Sequence, residues 1–423
     1  MQINLRLDNM QNHVLGFSKN IQGKDVKSVY YLLTFLIDFS ASLTFVTYVL
    51  FLLSKGLDLF QVMLVNMAFM IGNFIFEIPT GAYADYFGRR KSIILSCFFH
   101  MLCLLIYFES SNIYMFVTAE IIAALAITFY SGALDAWMVD SLEKNGYVGR
   151  VDYIFSHASI IGKGAALLGG LIGGYIGSIN LALPFGVGAV VAFASLLIAI
   201  FYLKEDFVTQ KTFNIGGGLF HLIKVSRDSI NYGLRHKVVL WLIISSIVAL
   251  FAFQPLNMYW SPRLNTLAGD QVWLMGWVWA GISLFMMLGG FLVKELLKRE
   301  RSYSNILIAT TLFLSIPILL SALSNVFMVV MMGFLMYEIG RGMLNPAHKA
   351  YLNKYIPGEQ RATILSFDSM MGKFGAAMGL VVFGLIAKNY SIQVSWFVSG
   401  ILLLLLIPIY LKTSYNANPK SSM

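Results

Sequence analysis

Charged side chains are the scarcest class in this chain. Only 12% of its 423 residues are Asp, Glu, Lys or Arg, about half the share found in a water-soluble domain. That excludes an ordinary soluble protein. Cysteine is limited to Cys97 and Cys103, six positions apart on one predicted helix and so on different sides of it. They do not fit the geometry of a disulfide. The chain also lacks H-E-x-x-H, a Cys/His cluster with metal-ligand spacing, and a G-x-S-x-G placed at a nucleophile elbow. Nothing therefore points to an enzyme, a cofactor or a metal centre.

What fills the chain is apolar sequence, 58% of the total. A bilayer-spanning helix needs about 20 predominantly apolar residues. Twelve stretches supply them: 28–54, 59–79, 90–109, 113–138, 153–175, 180–203, 238–261, 271–293, 303–321, 326–346, 362–387 and 391–411. Residues 1–27 are polar and contain no apolar run of the kind a cleaved signal carries, so the first span is expected to be its own insertion signal. Segments 1–27, 80–91, 143–152, 204–237, 294–302, 347–361 and 412–423 hold 24 of the 30 Lys and Arg, whereas the alternate segments hold only Lys55, Arg263 and Lys388. The net charge of +9 thus reflects topology rather than nucleic-acid binding, and it puts both termini and the middle loop in the cytoplasm of a cell-membrane protein.

The spans divide six and six. The expected parts are a cytoplasmic segment (1–27), a first bundle (28–204), an inter-bundle loop (205–237), a second bundle (238–412) and a tail (413–423). In the loop, Gly216-Gly217-Gly218 precedes Leu219, Phe220, Leu222, Ile223 and Val225 among Lys224, Arg227 and Arg235. This reads either as a hinge and a cationic amphipathic helix on the membrane surface or as an unstructured basic linker. The halves repeat: Ser156, Ser159, Gly162 and Lys163 share S-x-x-S-x-x-G-K with Ser366, Ser369, Gly372 and Lys373 at an offset of 210, and Gly132 falls on Gly342 at the same offset. Interior charges sit in spans one (Asp38), four (Glu120), five (Lys163), ten (Glu338, Arg341) and eleven (Lys373). Spans six, nine and twelve have none, and span three has only His100. An ion facing hydrocarbon is costly, so these groups must face water or a partner.

Between spans two and three, Gly81, Asp85, Gly88 and the pair Arg89, Arg90 fill G-x-x-x-D-x-x-G-R-[RK], read as a short charged loop. The segment resembles the signature of the major facilitator superfamily. The resemblance, covering about residues 28–412, implies an all-α membrane protein whose twelve transmembrane helices form two pseudo-symmetric six-helix bundles. Those bundles rock to give alternating access, with helices three, six, nine and twelve facing lipid. It also implies a gate: the acid of the signature faces the start of span eleven, marked here by Arg361, and its arginine meets an acid at the cytoplasmic end of span four, Asp140 or alternatively Asp135. The second copy keeps Gly290 but has Lys294 in place of the acid. Gly169-Gly170-Leu171-Ile172-Gly173-Gly174 is similar to the G-P-x-x-G-G of drug exporters without its proline, and Arg361-Ala362-Thr363-Ile364-Leu365-Ser366 resembles the R-A-T-x-x-S of efflux-type members.

The site residues follow from depth and spacing. Lys163 and Lys373 each lie about 15 Å inside a span at helical rise, too deep to snorkel. Two such cations on opposite walls of a cavity would bind an anionic solute, or serve as counter-ions to Asp38 or Glu338, or rest neutral. Asp38, flanked by Thr34 and Ser42, is a candidate proton carrier or an ion-pair partner of a lysine. Glu338 and Arg341, on one face with Asn345, are a candidate intrahelical ion pair facing the cavity. Glu120 is read as shallow and wetted. Gln254 and Asn257 flank Pro255, where the helix is expected to open, and would read a solute's polar groups or satisfy the broken backbone. Asn66, Asn73 and Glu77 form a polar stripe on span two. Trp260, Trp273 and Trp277 form either an interfacial belt or an aromatic cavity wall.

The resulting expectation is a secondary transporter of a small organic solute, with protons as the coupling ion, efflux as the direction and the lipid bilayer as its surroundings, acting as a monomer without nucleic acid. A carrier of an anionic metabolite or chelate is the alternative, and a receptor or scaffold on a transporter fold is the rival of another class.

Overall fold

The computed structural model describes residues 25–205, 236–299, 302–358 and 361–417. They form helices joined by short turns, and twelve helical stretches are long and apolar enough to cross a membrane. Span one runs Asp25–Phe45 and, after a turn at 46–47, continues as the short helix Tyr48–Ser54. Spans two to six are Leu59–Phe87, Arg89–Glu109, Ile113–Lys144, Val151–Ile179 and Leu183–Tyr202. Spans seven to twelve are Lys237–Leu267, Val272–Lys298, Tyr303–Leu323, Phe327–Lys354, Arg361–Asn389 and Ile392–Asn416. The expected amphipathic helix lies outside the described residues. Successive spans alternate in direction, so residues 25 and 417 share one end of the molecule, called the termini face below; the other end is the far face.

Two expectations about local structure are corrected. The stretch Gly81–Phe87, read as loop, is the last two turns of span two, and Gly88 alone separates it from span three. Span four extends to Lys144 but is broken at Ser131–Gly132, where Gly132 adopts φ +71°. Its repeat mate Gly342 serves close packing instead. A β-carbon there would strike the carbonyl of Met286, so span ten lies tightly on span eight.

The repeat is visible in the packing. Span five lies on span one through Gly169, whose β-carbon would fall 2.7 Å from the carbonyl of Phe39, and span eleven lies on span seven through Gly375 against the carbonyl of Ile247. Small residues let helix backbones meet where no hydrophobic force between helices exists in lipid. Spans six, nine and twelve keep an outward apolar surface, with Phe201, Leu320 and Ile401 exposed.

Candidate functional site

The halves meet along two seams, spans five and eight and spans two and eleven. In the first, a β-carbon on Gly174 would lie 2.9 Å from the nitrogen of Gly276, and one on Gly276 3.1 Å from the carbonyls of Gly170 and Leu171. Trp279 covers Gly170 and donates to the carbonyl of Ala166 at 3.1 Å, with the ring of Phe45 5.5 Å from its own. In the second, Lys388 Nζ is 2.9 Å from Asp58 Oδ2, Gly384 packs on Phe60 and Met63, and the hydroxyl of Tyr259 on span seven donates to the carbonyl of Leu59 at 2.8 Å. These contacts occupy the far face and the mid-depth. Toward the termini face, Gly81, Gly164 and Gly290 have no atom of the described residues, beyond their own local helix backbone, within 4 Å of where a β-carbon would stand. Gly81 therefore makes no close approach to another described helix in this conformation.

Asp58 also caps span two, accepting from the Gln61 amide at 2.8 Å. Partial burial works against its ionisation, but the Gln61 amide and the Lys388 ammonium outweigh burial and hold the carboxyl below the usual carboxylate range. Because the folded value is the lower one, this contribution is present above the unfolded value of about 4. It is lost as pH falls through the folded value. Lys388→Ala is accordingly expected to lower stability by at most about 1 kcal/mol at neutral pH, the pair being exposed. That difference should vanish in strong acid, read by thermal denaturation of both proteins across pH.

At the centre, Asp38 is half-buried, packs against Gly162 of span five and faces Tyr130 of span four. It makes no hydrogen bond or ion pair among the described residues. Lys163, the next residue after Gly162, is exposed and likewise makes no ion pair among them. Lys373 pairs with Glu77 across the second seam at 3.3 Å, so neither lysine has Asp38 or Glu338 as counter-ion. The repeat does not reproduce this pair, since the offset of 209 that aligns Gly81 with Gly290 places Met286 where Glu77 stands. Arg341 meets Glu338 at 2.9 Å, between the rings of Phe253 and Tyr337. Glu338 is fully buried and its Oε2 has no hydrogen-bond partner among the described residues; Asn345, one turn on from Arg341, is exposed.

Three further expectations change. Glu120 is not wetted: it is buried and accepts from the hydroxyls of Tyr48 and Tyr107, each at 2.5 Å. Span seven does not open at Pro255, because the helix continues through it. Buried Gln254 turns back to the carbonyl of Leu250 at 2.9 Å, while Asn257 stays half-buried with no hydrogen bond among the described residues. Trp260 is no interfacial anchor: it is buried, stacked between Trp279 and Phe334. Trp277 is exposed and donates to the hydroxyl of Tyr175 at 3.0 Å.

The charged turn at Gly88 is built around a residue the motif does not contain. The carboxylate of Glu205, just past span six, accepts from the amides of Arg89 at 2.8 Å and Arg90 at 2.9 Å, capping the exposed N–H groups that begin span three. Gly88 is required twice over. Its φ is +102°, and a β-carbon would lie 2.6 Å from the Glu205 carboxylate. Asp85 is exposed in the last turn of span two. Arg89 Nε pairs with Asp140 at 2.8 Å, while Asp135 takes the hydroxyl of Tyr30 at 2.7 Å. Arg90 reaches the carbonyl of Ile200 at 2.8 Å. Glu205→Ala should cost about 1–2 kcal/mol, as lost caps do, and should speed amide exchange at residues 89–91 as read by mass spectrometry.

A cluster in the second half was also missed. His348 Nε2 lies 3.3 and 3.2 Å from the two oxygens of Asp368, and the hydroxyl of Ser246 donates to Asp368 at 2.7 Å. The only signal in the sequence was that Asp368 interrupts the repeated serine motif, where the first half has Ala158.

The family model of the Major Facilitator Superfamily matches residues 30–314 and 302–422, nearly the whole chain. The chain belongs to the major facilitator superfamily. It is 26% identical over 371 residues to the uncharacterized MFS-type transporter YxaM of Bacillus subtilis (strain 168), covering 86% of this chain and 90% of that protein. It is 24% identical over 332 residues to Multidrug resistance protein 2 of the same organism, covering 75% and 78%. Among solved structures it resembles the nucleoside transporter NupG, with a TM-score of 0.78, 14% identity, and 92% and 99% coverage. It also resembles a D-xylose-proton symporter, with a TM-score of 0.68, 14% identity, and 92% and 97% coverage. As a superfamily member the protein is a multi-pass membrane transporter and not an enzyme. Within that fold, its far-face seams are packed shut, and among the described residues Asp38, Lys163 and Asn257, on spans one, five and seven, have no side-chain hydrogen bond or ion pair.

Proposed function

We propose that this superfamily transporter exports a small organic solute across the cell membrane in exchange for protons, with both termini cytoplasmic and one chain as the working unit. The observation that carries the reading is Asp38: a half-buried carboxylate at the junction of spans one and five without hydrogen bond or ion pair among the described residues. Such a group takes and releases a proton without first breaking a salt bridge. Export is supported by the similarity to a protein named for multidrug resistance. Lys163, Lys373, Gln254, Asn257, Arg341 and Asn345 are the proposed solute contacts, with Asn257 and Lys163 foremost because nothing described occupies them. Glu338, tied to Arg341, and Glu120, tied to two tyrosines, are secondary proton candidates.

Exchange follows if solute and proton bind the cavity in turn. With the far face closed, as here, the solute enters from the termini face. Closing that face brings the signature of spans two and three toward span eleven, and Asp85 is proposed to favour the closed arrangement. Asp85→Asn should therefore widen the distance between spin labels on Glu143 and Lys354 at the ends of spans four and ten, and Lys294→Ala should do much less. An unchanged distribution in Asp85→Asn would remove it from gating.

Proteoliposomes with an imposed pH gradient test the whole reading. They would be offered a panel of lipophilic cations, nucleosides, sugars and short peptides. Some member should accumulate against its gradient, and reversing the pH gradient should reverse the movement. Flux that ignores the gradient would refute proton coupling. The anionic-solute alternative rests on Lys163 having no counter-ion. It predicts weaker binding of an anion in Lys163→Ala, by about 1.5–3 kcal/mol. Impermeant maleimide labelling of single cysteines at Asn112 and Asn145 tests the orientation: only Asn112 should label from outside the cell.

A further inference from the structure

The described residues of the second half hold a buried acid–imidazole pair for which the first half has no counterpart. His348 on span ten and Asp368 on span eleven are 7% and 9% exposed, about 10 Å along their helices from the termini face. Asp368 receives the Ser246 hydroxyl from span seven, and Ser246 Oγ is also 3.1 Å from His348 Nε2. A hydroxyl that donates to the acid has a lone pair left for the ring. Nε2 therefore carries a hydrogen directed at Asp368 and Ser246, and Nδ1 keeps the free lone pair. Nδ1 makes no hydrogen bond among the described residues.

The charge count is informative. With a neutral ring the pair carries one negative charge in a low-dielectric bundle, and one proton on Nδ1 neutralises it. Among the described residues no cation other than His348 pairs with Asp368. Span seven presents the hydroxyls of Ser245 and Ser246, and span twelve presents the phenol of Tyr410, which faces Asp368. On span ten, Arg341 is two turns away and tied to Glu338, and Lys349 is exposed. On span eleven, Lys373 is tied to Glu77 and Arg361 lies at the helix start.

The repeat shows that the fold has no need of these side chains. At the offset of 210, His348 falls on Met138 and Asp368 on Ala158. Both are buried in one hydrophobic cluster of the first half. A methionine and an alanine fill the equivalent space at no desolvation cost, whereas a buried charge is expensive unless paired. We propose that His348, Asp368 and Ser246 form a proton-binding site of this transporter, exchanging one proton with the termini face and changing the preference for closure of that face with its load. The inference rests on the proton-coupled reading above and adds to it a site separate from Asp38.

The first half supplies the control variant. His348→Met together with Asp368→Ala copies the Met138 and Ala158 pair and should keep a thermal midpoint close to that of the parent. Spin labels on Glu143 and Lys354, without solute, report the termini face as pH is varied. The parent should shift between its two distances by up to about tenfold per pH unit, the limit for one proton. The double variant should be flat, and His157→Gln, which changes an exposed histidine on span five, should behave as the parent. A double variant that keeps the parent's shift refutes the site, as does a parent with no shift. Gradient-driven flux measured on the same preparation separates the two failures: flux driven by the gradient with the pH response surviving in the double variant overturns this site and leaves proton coupling standing.

Discussion

Asp38→Asn is expected to abolish uphill transport while leaving solute exchange intact. A carrier that trades one proton for one solute converts a gradient of one pH unit into about a tenfold solute ratio, or roughly 1.4 kcal/mol. Asparagine keeps the size of the carboxylate and its fit against Gly162, but it cannot titrate. The variant should therefore equilibrate its solute to a ratio of one whatever the pH gradient, with counterflow of labelled for unlabelled solute near the parent's rate. Its fold should be little affected, because Asp38 gives up no described hydrogen bond. Full accumulation in the variant would move the coupling proton to another group.

Gly276→Leu is expected to have the largest effect on conformation. A β-carbon at Gly276 is already 3.1 Å from two carbonyls of span five, so the rest of a leucine side chain has no room while span eight lies on span five. Overpacking of this kind costs about 1–3 kcal/mol, and here it falls on the far-face-closed state alone. About that much free energy moves a balanced equilibrium by roughly 5- to 150-fold. Spin labels on Ser111 and Tyr390, in far-face turns of opposite halves, should show the longer distance as the major population, and transport should slow. A distribution like the parent's would mean that the seam does not part.

The architecture was legible from the sequence because the bilayer imposes it: a span must be long and apolar, and twelve stretches were. The ends of the spans were less legible. Gly81–Phe87 looked like loop because it carries a glycine and an acid and runs into Gly88 and three cations, yet its backbone hydrogen bonds are most easily met by continuing the helix. The partners of interior charges were harder still. Lys373 was read as too deep to snorkel, but nothing in the sequence of one helix says that Glu77 of another half will reach it. Glu120 was misplaced because depth was counted from the helix end, while its burial is decided by Tyr48 and Tyr107 on neighbouring helices. Glu205 escaped notice because its role depends on the end of span six arriving beside the start of span three. The reading of Arg89 with Asp140 used the superfamily resemblance, and the two side chains do meet. What that contact does in the transport cycle is part of the proposal.

The central claim is that the two faces open in turn around one site. The contact of Asp58 with Lys388 across the far-face seam offers the most direct measurement. Cysteines at both positions, joined by a short reducible bifunctional linker, fix that face shut, and the two natural cysteines are buried. Linked protein in proteoliposomes should move no solute, should still bind it from the termini face, and should recover transport when the linker is reduced. Transport at the unlinked rate with the far face held shut would contradict alternating access in this protein.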